Sequence, residues 1–398
     1  ASFVKAAGLE INQVTATTTY EDQTIGFTAH VQEEERSLDA RGEVILHTDH
    51  QELHLPELVV RTQGVEWRTR PGTETTIRYG QNRVELQDVQ LVSADQSLSV
   101  DGTIALGGEV PAGTLDVTAQ NVDLQQLERL LLQERGLSGR LSANATLTGT
   151  TAAPMVSGHV EILDGGVQTY RYESLIADVD YKEERFTVDA TLTQTPAERI
   201  TVTGSAPLSL FRRTEREGHV PAAAGDEVDL RIRSTALGLG FVQGFTDQLT
   251  NVSGTFEADV RVTGSGDDPH IEGHIDIRDG AFGVPAGGVS YTGLNTRIDL
   301  TPDLITIQSF SIIDEEGAPL NVSGSLAVHE RKVGAVNITL DSENFEIIDN
   351  ELGDVGLKTA VRITGELRRP KVEGRIEIAT GRIEVDRLLA LFYDPYAR

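Results

Sequence analysis

Apolar and polar residues alternate along most of the chain with a period of two, which is the pattern of half-buried β-strands. The alternation is clearest in three segments, LSANATLTGTTAAPMVSGHVEILDGG, FEADVRVTGSGDDPHIEGHIDIRDG and LKTAVRITGELRRPKVEGRIEIATG. Each segment predicts a strand, a turn and a second strand, with apolar side chains on one face and polar side chains on the other.

The three segments share a fixed spacing of glycine and proline, with steps of 5, 4 and 7 residues. The proline is predicted at the start of the second strand, where its missing N–H does least harm. The second glycine falls on the apolar face, and the last glycine fits the turn that follows. The positions are Gly149, Pro154, Gly158 and Gly165; Gly264, Pro269, Gly273 and Gly280; and Gly365, Pro370, Gly374 and Gly381.

This internal repetition predicts an all-β repeat array with few short helices. One array over residues 1–398 is expected, with approximate sub-units 1–136, 137–251, 252–354 and an incomplete 355–398. A leucine-rich helix is predicted from an Asp123 cap, with Gln126 three residues on, to Gly136. It is expected either to pack over one end of the sheet or to bind a partner. A weaker helix is predicted from Asp386.

Composition and charge exclude several classes of function. Among the 398 residues, 34 are basic and 62 are acidic, and the net charge of -28 opposes binding to nucleic acid. It also opposes docking flat on an anionic membrane. The chain has no cysteine, so disulfides and thiolate metal sites are excluded. No apolar run reaches the roughly 18 residues of a membrane span.

The histidines of the segment HTDHQELHL were considered as metal ligands. In a continuous strand His50 and His54 share one face and His47 points the other way, so the three are not expected to converge. A solvated strand is the prediction here, and no metal site is expected.

Two other groups of residues carry no predicted chemistry. His270 and His274 stand four apart, but on a strand and without the helix that a zinc-protease motif needs. His159, His274 and Arg375 hold the same place in the three repeats, which predicts an outward polar position.

No catalytic motif emerges from the sequence, so neither an enzyme activity nor a cofactor is expected. Tyr170 and Tyr172 form an exposed tyrosine-rich stretch that can bind a sugar or cover a strand edge, and the edge is the preferred interpretation.

At the repeated unit TG-x4-P-x3-G-x6-G the sequence resembles the TamB/AsmA-like family, over roughly residues 40–398. The resemblance implies that the sheet forms a taco-like or U-shaped groove with an apolar interior. It also implies a periplasmic protein anchored to the inner membrane by a segment outside this chain. Its implied partners are phospholipid and, through regions outside this chain, an outer-membrane barrel protein of the TamA type. An anchor helix and a C-terminal end domain are not evident.

The predicted function is therefore a non-enzymatic lipid conduit, in which an apolar groove shields acyl chains between the two membranes. The alternatives are a periplasmic scaffold or chaperone for outer-membrane protein assembly, and an ordinary secreted β-solenoid. The predicted groove-lining residues are the apolar positions of the alternating strands: Leu141, Ala143, Leu147, Val156, Val160, Ile162, Phe256, Val260, Val262, Ile271, Ile275, Ile277, Ile298, Leu300, Val361, Ile363, Val372, Ile376 and Ile378.

Overall fold

The computed structural model of the protein describes residues 2–6, 9–33, 35–106, 113–131, 135–151, 153–211, 225–329, 332–351, 353–367 and 369–384. Strands account for 78% of the structure and helices for 5%. The prediction of an all-β protein with few helices is therefore confirmed.

The chain divides into two compact units. Unit 1 comprises residues 1–168 and 172–190, and unit 2 comprises residues 169–171 and 191–398. The elements of unit 1 are β1 (Ser2–Ala6), β2 (Leu9–Glu21), β3 (Thr24–Gln32), β4 (Arg36–Leu46), β5 (Gln51–Thr62), β6 (Val65–Thr69), β7 (Thr75–Gly80), β8 (Arg83–Ser93), β9 (Gln96–Ala105), β10 (Gly113–Asp123), α1 (Leu124–Leu131), β11 (Leu137–Thr150), β12 (Ala153–Val167) and most of β13 (Tyr170–Lys182).

Strand β14 (Arg185–Thr195) begins in unit 1 and ends in unit 2. Unit 2 then continues with strands and two short 3-10 turns, Leu208–Phe211 and Leu239–Gly244. Its strands are β15 (Glu198–Pro207), β16 (Asp229–Ser234), β17 (Leu237–Gly238), β18 (Thr250–Gly264), β19 (Pro269–Val284), β20 (Val289–Thr301), β21 (Leu304–Ile313), β22 (Pro319–His329), β23 (Lys332–Asn350), β24 (Gly353–Glu366) and β25 (Arg369–Ile383).

Strand order within each unit largely follows chain order, because most strands pair antiparallel with the strand before and the strand after them. Where a strand is short, two share one neighbour: β5 pairs with both β6 and β7, and β18 with both β16 and β17. Antiparallel strands can be joined by tight hairpins. The fold therefore needs few residues outside its strands.

The three repeated segments form three hairpins with the same register. They are β11–β12, β18–β19 and β24–β25. The first glycine of each repeat pairs with the proline, and the second glycine pairs with a small apolar residue of the preceding strand. The predicted strand–turn–strand unit is confirmed, and the proline stands at the first or second residue of the second strand. The equivalent pairs are Gly149–Pro154, Gly264–Pro269 and Gly365–Pro370; and Ala145–Gly158, Val260–Gly273 and Val361–Gly374.

The predicted place of the last glycine of each repeat was wrong. Gly165, Gly280 and Gly381 lie inside β12, β19 and β25 instead of in a following turn. Each stands at or beside a shift in register, where an extra residue bulges from the strand. A Cβ on Gly165 would meet the ring of Tyr172 at 2.1 Å, so close packing at the bulge demands the glycine.

The core of unit 1 lies where α1 packs onto the sheet. Trp67 and Val122 are fully buried there, and Leu127 and Leu130 of the helix pack against their cluster. The predicted N-cap of the helix is confirmed, since Asp123 Oδ1 accepts a hydrogen bond from the backbone N–H of Gln126 at 3.1 Å. The helix therefore covers part of the sheet. The second predicted helix lies outside the described residues.

The core of unit 2 is an aromatic cluster around Tyr291. Its ring stacks on Phe345 at 4.9 Å, and its hydroxyl donates to the Glu346 carbonyl at 3.0 Å. Val289 and Ile312 complete the buried cluster. Burial raises the pKa of the Tyr291 hydroxyl.

Candidate functional site

In unit 2, apolar side chains form continuous rows across the sheet. Residues paired directly across antiparallel strands project from the same face, so the register identifies each row. Three rows cross β18–β25, and the first also extends to β15 and β16. Among these positions only Thr296 carries a polar side chain. The rows are Val202, Ile232, Val260, Gly273, Leu300, Ile305, Leu326, Val336, Gly365 and Pro370; Ala258, Ile275, Ile298, Ile307, Gly324, Ile338, Ile363 and Val372; and Phe256, Ile277, Thr296, Phe310, Val322, Leu340, Val361 and Gly374.

Unit 1 carries rows of the same kind. The longest crosses from β2 to β12 without a charged side chain. We call the surface that bears these rows the apolar face of each unit. The longest row consists of Tyr20, Ile25, Val44, Leu53, Ile77, Leu86, Gly102, Leu115, Leu147 and Val156.

The 19 residues predicted to line a groove all lie on the apolar faces, but they differ in exposure. Val260 and Val361 are buried, at 8% exposure each. Val372, Ile376 and Ile378 on β25 are open, at 60%, 63% and 67%. The remaining 14 are half-buried. The faces are thus only partly covered by the protein's own side chains, and the role of these residues as lipid contacts stays a prediction.

The opposite face of the same strands is polar and paired by charge. Asp259 accepts hydrogen bonds from Arg231 at 3.1 Å, and Asp276 pairs with Arg297 at 3.1 Å. The hydrogen bonds from Arg231 lower the pKa of Asp259. These ion pairs lie on the surface opposite to the rows, as the period-two pattern predicts.

The predicted divergence of the HTDHQELHL histidines was wrong. His47 and His50 lie in the turn between β4 and β5, outside the strand, so strand alternation does not set their direction. Their rings stack at 4.3 Å. His50 and His54 contact the carboxylate of Glu52 through Nε2 at 3.0 and 3.2 Å, and His47 Nε2 lies 3.9 Å from it.

Glu52 is the centre of this cluster. Hydrogen bonds from His50, then from Arg78, lower its pKa to about 2. Asp49 and Glu52 in turn raise the pKa of His50 by accepting hydrogen bonds from its ring. The sequence showed the histidines, but the joining turn that gathers them around one carboxylate could not be located from periodicity alone.

Two other sequence interpretations are resolved by the structure. His159, His274 and Arg375 are all on the polar surface, beside Asp178, Asp276 and Glu377, so the predicted outward position is confirmed. Tyr170 and Tyr172 are not exposed as predicted: they keep only 7% and 8% of their surface accessible.

The burial of Tyr170 follows from aromatic packing that was not visible in the sequence. Tyr170 meets Phe241 edge to face at 6.2 Å, and Phe241 meets Phe256 in the same way at 5.8 Å. Phe241 lies in the 3-10 turn Leu239–Gly244.

Sequence reasoning missed much of the apolar face. Ile305 and Ile307 of β21 occupy two of the three rows, and Leu53, Ile77 and Leu86 fill the long row of unit 1. Their signal was present as alternation, but without the glycine–proline spacing that marks the three repeats.

Among the helices that the structure describes, none has the length and apolar character needed to cross a membrane.

Comparison with protein families gives two matches. Residues 4–277 match the profile described as "TamB, N-terminal domain", and residues 308–391 match the profile described as "TamB C-terminal domain". The second match was not expected, because no C-terminal end domain was evident from the sequence. Searches of curated proteins and of solved structures give no significant match. The first profile covers well over half of the 398 residues, and the chain therefore belongs to the TamB family.

Proposed function

We propose that this protein is a non-enzymatic lipid conduit of the periplasm, whose apolar faces shield phospholipid acyl chains on their way between the inner and outer membranes. Membership of the TamB family fits a role in the cell envelope. The observation that carries the finer proposal is the set of three apolar rows across β18–β25, in which Thr296 is the one polar side chain and none is charged.

The dimensions of the rows suit an acyl chain. Eight strands give seven spacings of about 4.8 Å each, or a path of about 34 Å across unit 2. One leaflet of a bilayer contributes about half of a hydrocarbon core of roughly 30 Å. A row is thus longer than the acyl chain that it would shield.

The partial burial of the predicted lining residues supports an apolar ligand. Fourteen of the 19 predicted lining residues are half-buried, so apolar surface stays available to a ligand. Each acyl-chain methylene group that the row removes from water favours binding by about 0.8 kcal/mol. Valine, isoleucine and leucine offer no directional contacts, so we expect little selectivity among acyl chains.

The charge distribution supports the same proposal. Ion pairs such as Arg231–Asp259 occupy the polar surface, while the rows hold no charged side chain. A lipid bound along a row can leave its headgroup in water. The outer-membrane barrel partner of the TamA type remains a prediction of the family resemblance, without assigned residues.

The test is site-specific photocrosslinking within β21 of the whole protein in its native envelope. Ile307 lies on the apolar face, whereas Leu304, an apolar residue 39% exposed, points to the opposite surface of the same strand. A benzophenone side chain at position 307 is expected to yield phospholipid adducts by mass spectrometry, and one at position 304 is not.

Three outcomes would overturn the conduit. Polypeptide adducts at 307 without lipid would instead favour the scaffold for outer-membrane protein assembly. Crosslinks at 307 only to the protein's own strands would mean that the rows form a sealed core. Equal lipid labelling at 304 and 307 would remove the apolar face as the cause of binding.

A further inference from the structure

The histidine cluster beside β5 lies apart from the apolar rows. Val44 and Leu53 pair across β4 and β5 on the apolar face, whereas Glu52 and His54 sit on either side of Leu53 in β5 and so point to the polar surface. What is inferred about this cluster is therefore independent of the proposed lipid conduit.

Three potential ligands converge there. One ligand atom from each of His47, His50 and Glu52 lies within 4.8 Å of the others. His54 Nε2 lies beside this group, 3.2 Å from Glu52 Oε2, and is the candidate for a fourth ligand. His50 Nε2 lies 3.0 Å from Glu52 Oε1, and His47 Nε2 lies 3.9 Å from Glu52 Oε2.

These separations suit a tetrahedral ion. Zinc binds imidazole nitrogen and carboxylate oxygen at about 2.0–2.2 Å, so adjacent ligands of a tetrahedron lie about 3.4 Å apart. The distances of His50 and His47 from Glu52, 3.0 and 3.9 Å, lie on either side of that value. Imidazole also suits copper and nickel, whereas magnesium and calcium prefer oxygen ligands throughout.

A carboxylate behind His50 orients this ring as metal sites require, and a second carboxylate approaches His54. Asp49 Oδ1 lies 2.8 Å from His50 Nδ1, and Glu74 Oε1 lies 3.6 Å from His54 Nδ1. A carboxylate on Nδ1 fixes the ring and directs Nε2 to the metal, which is the usual arrangement around protein zinc.

The site is also partly shielded from solvent and rigidly held. Glu52, His54 and His50 keep 14%, 20% and 23% of their side-chain surface exposed. Arg78 holds Glu52 Oε1 through Nε at 2.8 Å, which leaves Oε2 towards His54 and His47. A backbone hydrogen bond from His47 N to His50 O, at 3.0 Å, closes the turn that presents both rings.

We propose that His47, His50, Glu52 and His54 form a binding site for one divalent transition-metal ion, with Zn²⁺ as its best-fitting representative. The ion takes the place of the hydrogen bonds that now join His50 and His54 to Glu52. Asp49 acts as a positioning residue through His50. Bound metal joins the turn to β5 and stabilises this edge of unit 1.

The experiment is a calorimetric titration of the untagged protein with Zn²⁺, repeated with Mg²⁺. We expect one Zn²⁺ per chain and no comparable binding of Mg²⁺. His50→Gln and His54→Gln should each weaken Zn²⁺ binding by about tenfold or more, and Asp49→Asn by about tenfold. The matched control is His159→Gln, which also removes a histidine paired with an aspartate on the polar surface.

Co²⁺ absorption gives a second readout. Intense visible bands from the wild-type protein would report a tetrahedral site, and their loss in His50→Gln would assign it. The proposal is overturned if Zn²⁺ does not bind at one per chain, or if binding survives the cluster substitutions as well as it survives His159→Gln. In either case the cluster is only a network of ion pairs around Glu52.

Discussion

A single methyl group added at Gly273 is expected to open the β18–β19 hairpin. Gly273 pairs with Val260, and its φ of +130° lies in a region that residues with a side chain rarely adopt. A Cβ at this position would lie 1.9 Å from the carbonyl oxygen of Asp259 and 3.0 Å from Val260 Cα. The obstacle is backbone, so no side-chain rotation relieves it.

The same repeat position in the first hairpin supplies the matched control. Gly158 pairs with Ala145 in the identical register, but its φ lies outside the left-handed region. Its added Cβ would come no closer than 3.2 Å to a neighbouring atom. Backbone strain at Gly273→Ala would destabilise the hairpin by about 1–3 kcal/mol, and the clash with the neighbouring backbone adds to this. At a compatible site such as Gly158, replacing glycine by alanine stabilises a protein by about 0.4–1 kcal/mol.

We therefore expect Gly273→Ala to lower the opening free energy of its hairpin by about 2–3 kcal/mol, and Gly158→Ala to change its own by less than about 1 kcal/mol. Hydrogen exchange with mass spectrometry reads each hairpin separately, which matters because a repeat protein need not unfold in one step. Since 1.4 kcal/mol is a factor of ten, exchange in β18–β19 should accelerate about 100-fold. Equal effects of the two substitutions would refute the reasoning from local backbone geometry.

Two further outcomes follow from the ion pairs and from the helix. Asp259→Asn is expected to lower the free energy of unfolding at neutral pH by at most about 1 kcal/mol, because Asp259 and Arg231 are each 42% exposed. The lowered pKa of Asp259 means that this stabilisation is present above the ordinary value of 3.8 and is lost as the pH falls through the folded-state pKa. Urea unfolding at neutral and acidic pH should show the difference between the two proteins disappear in acid, and a constant difference would contradict it. Leu127→Ala is expected to lower the free energy of unfolding by about 2 kcal/mol. It should also shift the fluorescence of Trp67, the only tryptophan, towards the red as water approaches the ring. Unchanged emission would show that the helix does not shield the ring.

The lipid proposal and the metal proposal use opposite surfaces of the sheet. A strand that alternates apolar and polar residues presents both at once, and charges such as Asp276 and Arg297 stay on the polar side. Loss of the histidine cluster should therefore leave the photocrosslinking at Ile307 unchanged. The two experiments can succeed or fail independently.

The sequence by itself determined the strand content, the three repeated hairpins and the apolar side of the strands in those hairpins. Period-two alternation and the glycine–proline spacing are local properties, so they could be recognised without knowing which strands meet. The N-cap at Asp123 was equally local, because its partner Gln126 is three residues away. The family resemblance at the repeated unit was confirmed by the profile matches.

Only the tertiary structure decided the features that depend on residues distant in sequence or on a turn. The continuity of the rows requires the register of β18–β25, which period two alone does not give. Gly158 and Gly273 are equivalent in the repeat, yet the approach of the neighbouring backbone makes only the second intolerant of a side chain. Tyr170 is buried because Phe241, in a 3-10 turn about 70 residues later in the chain, packs against its ring. His47 meets His50 because the chain leaves the strand at Leu46, and alternation has no meaning in the turn that follows.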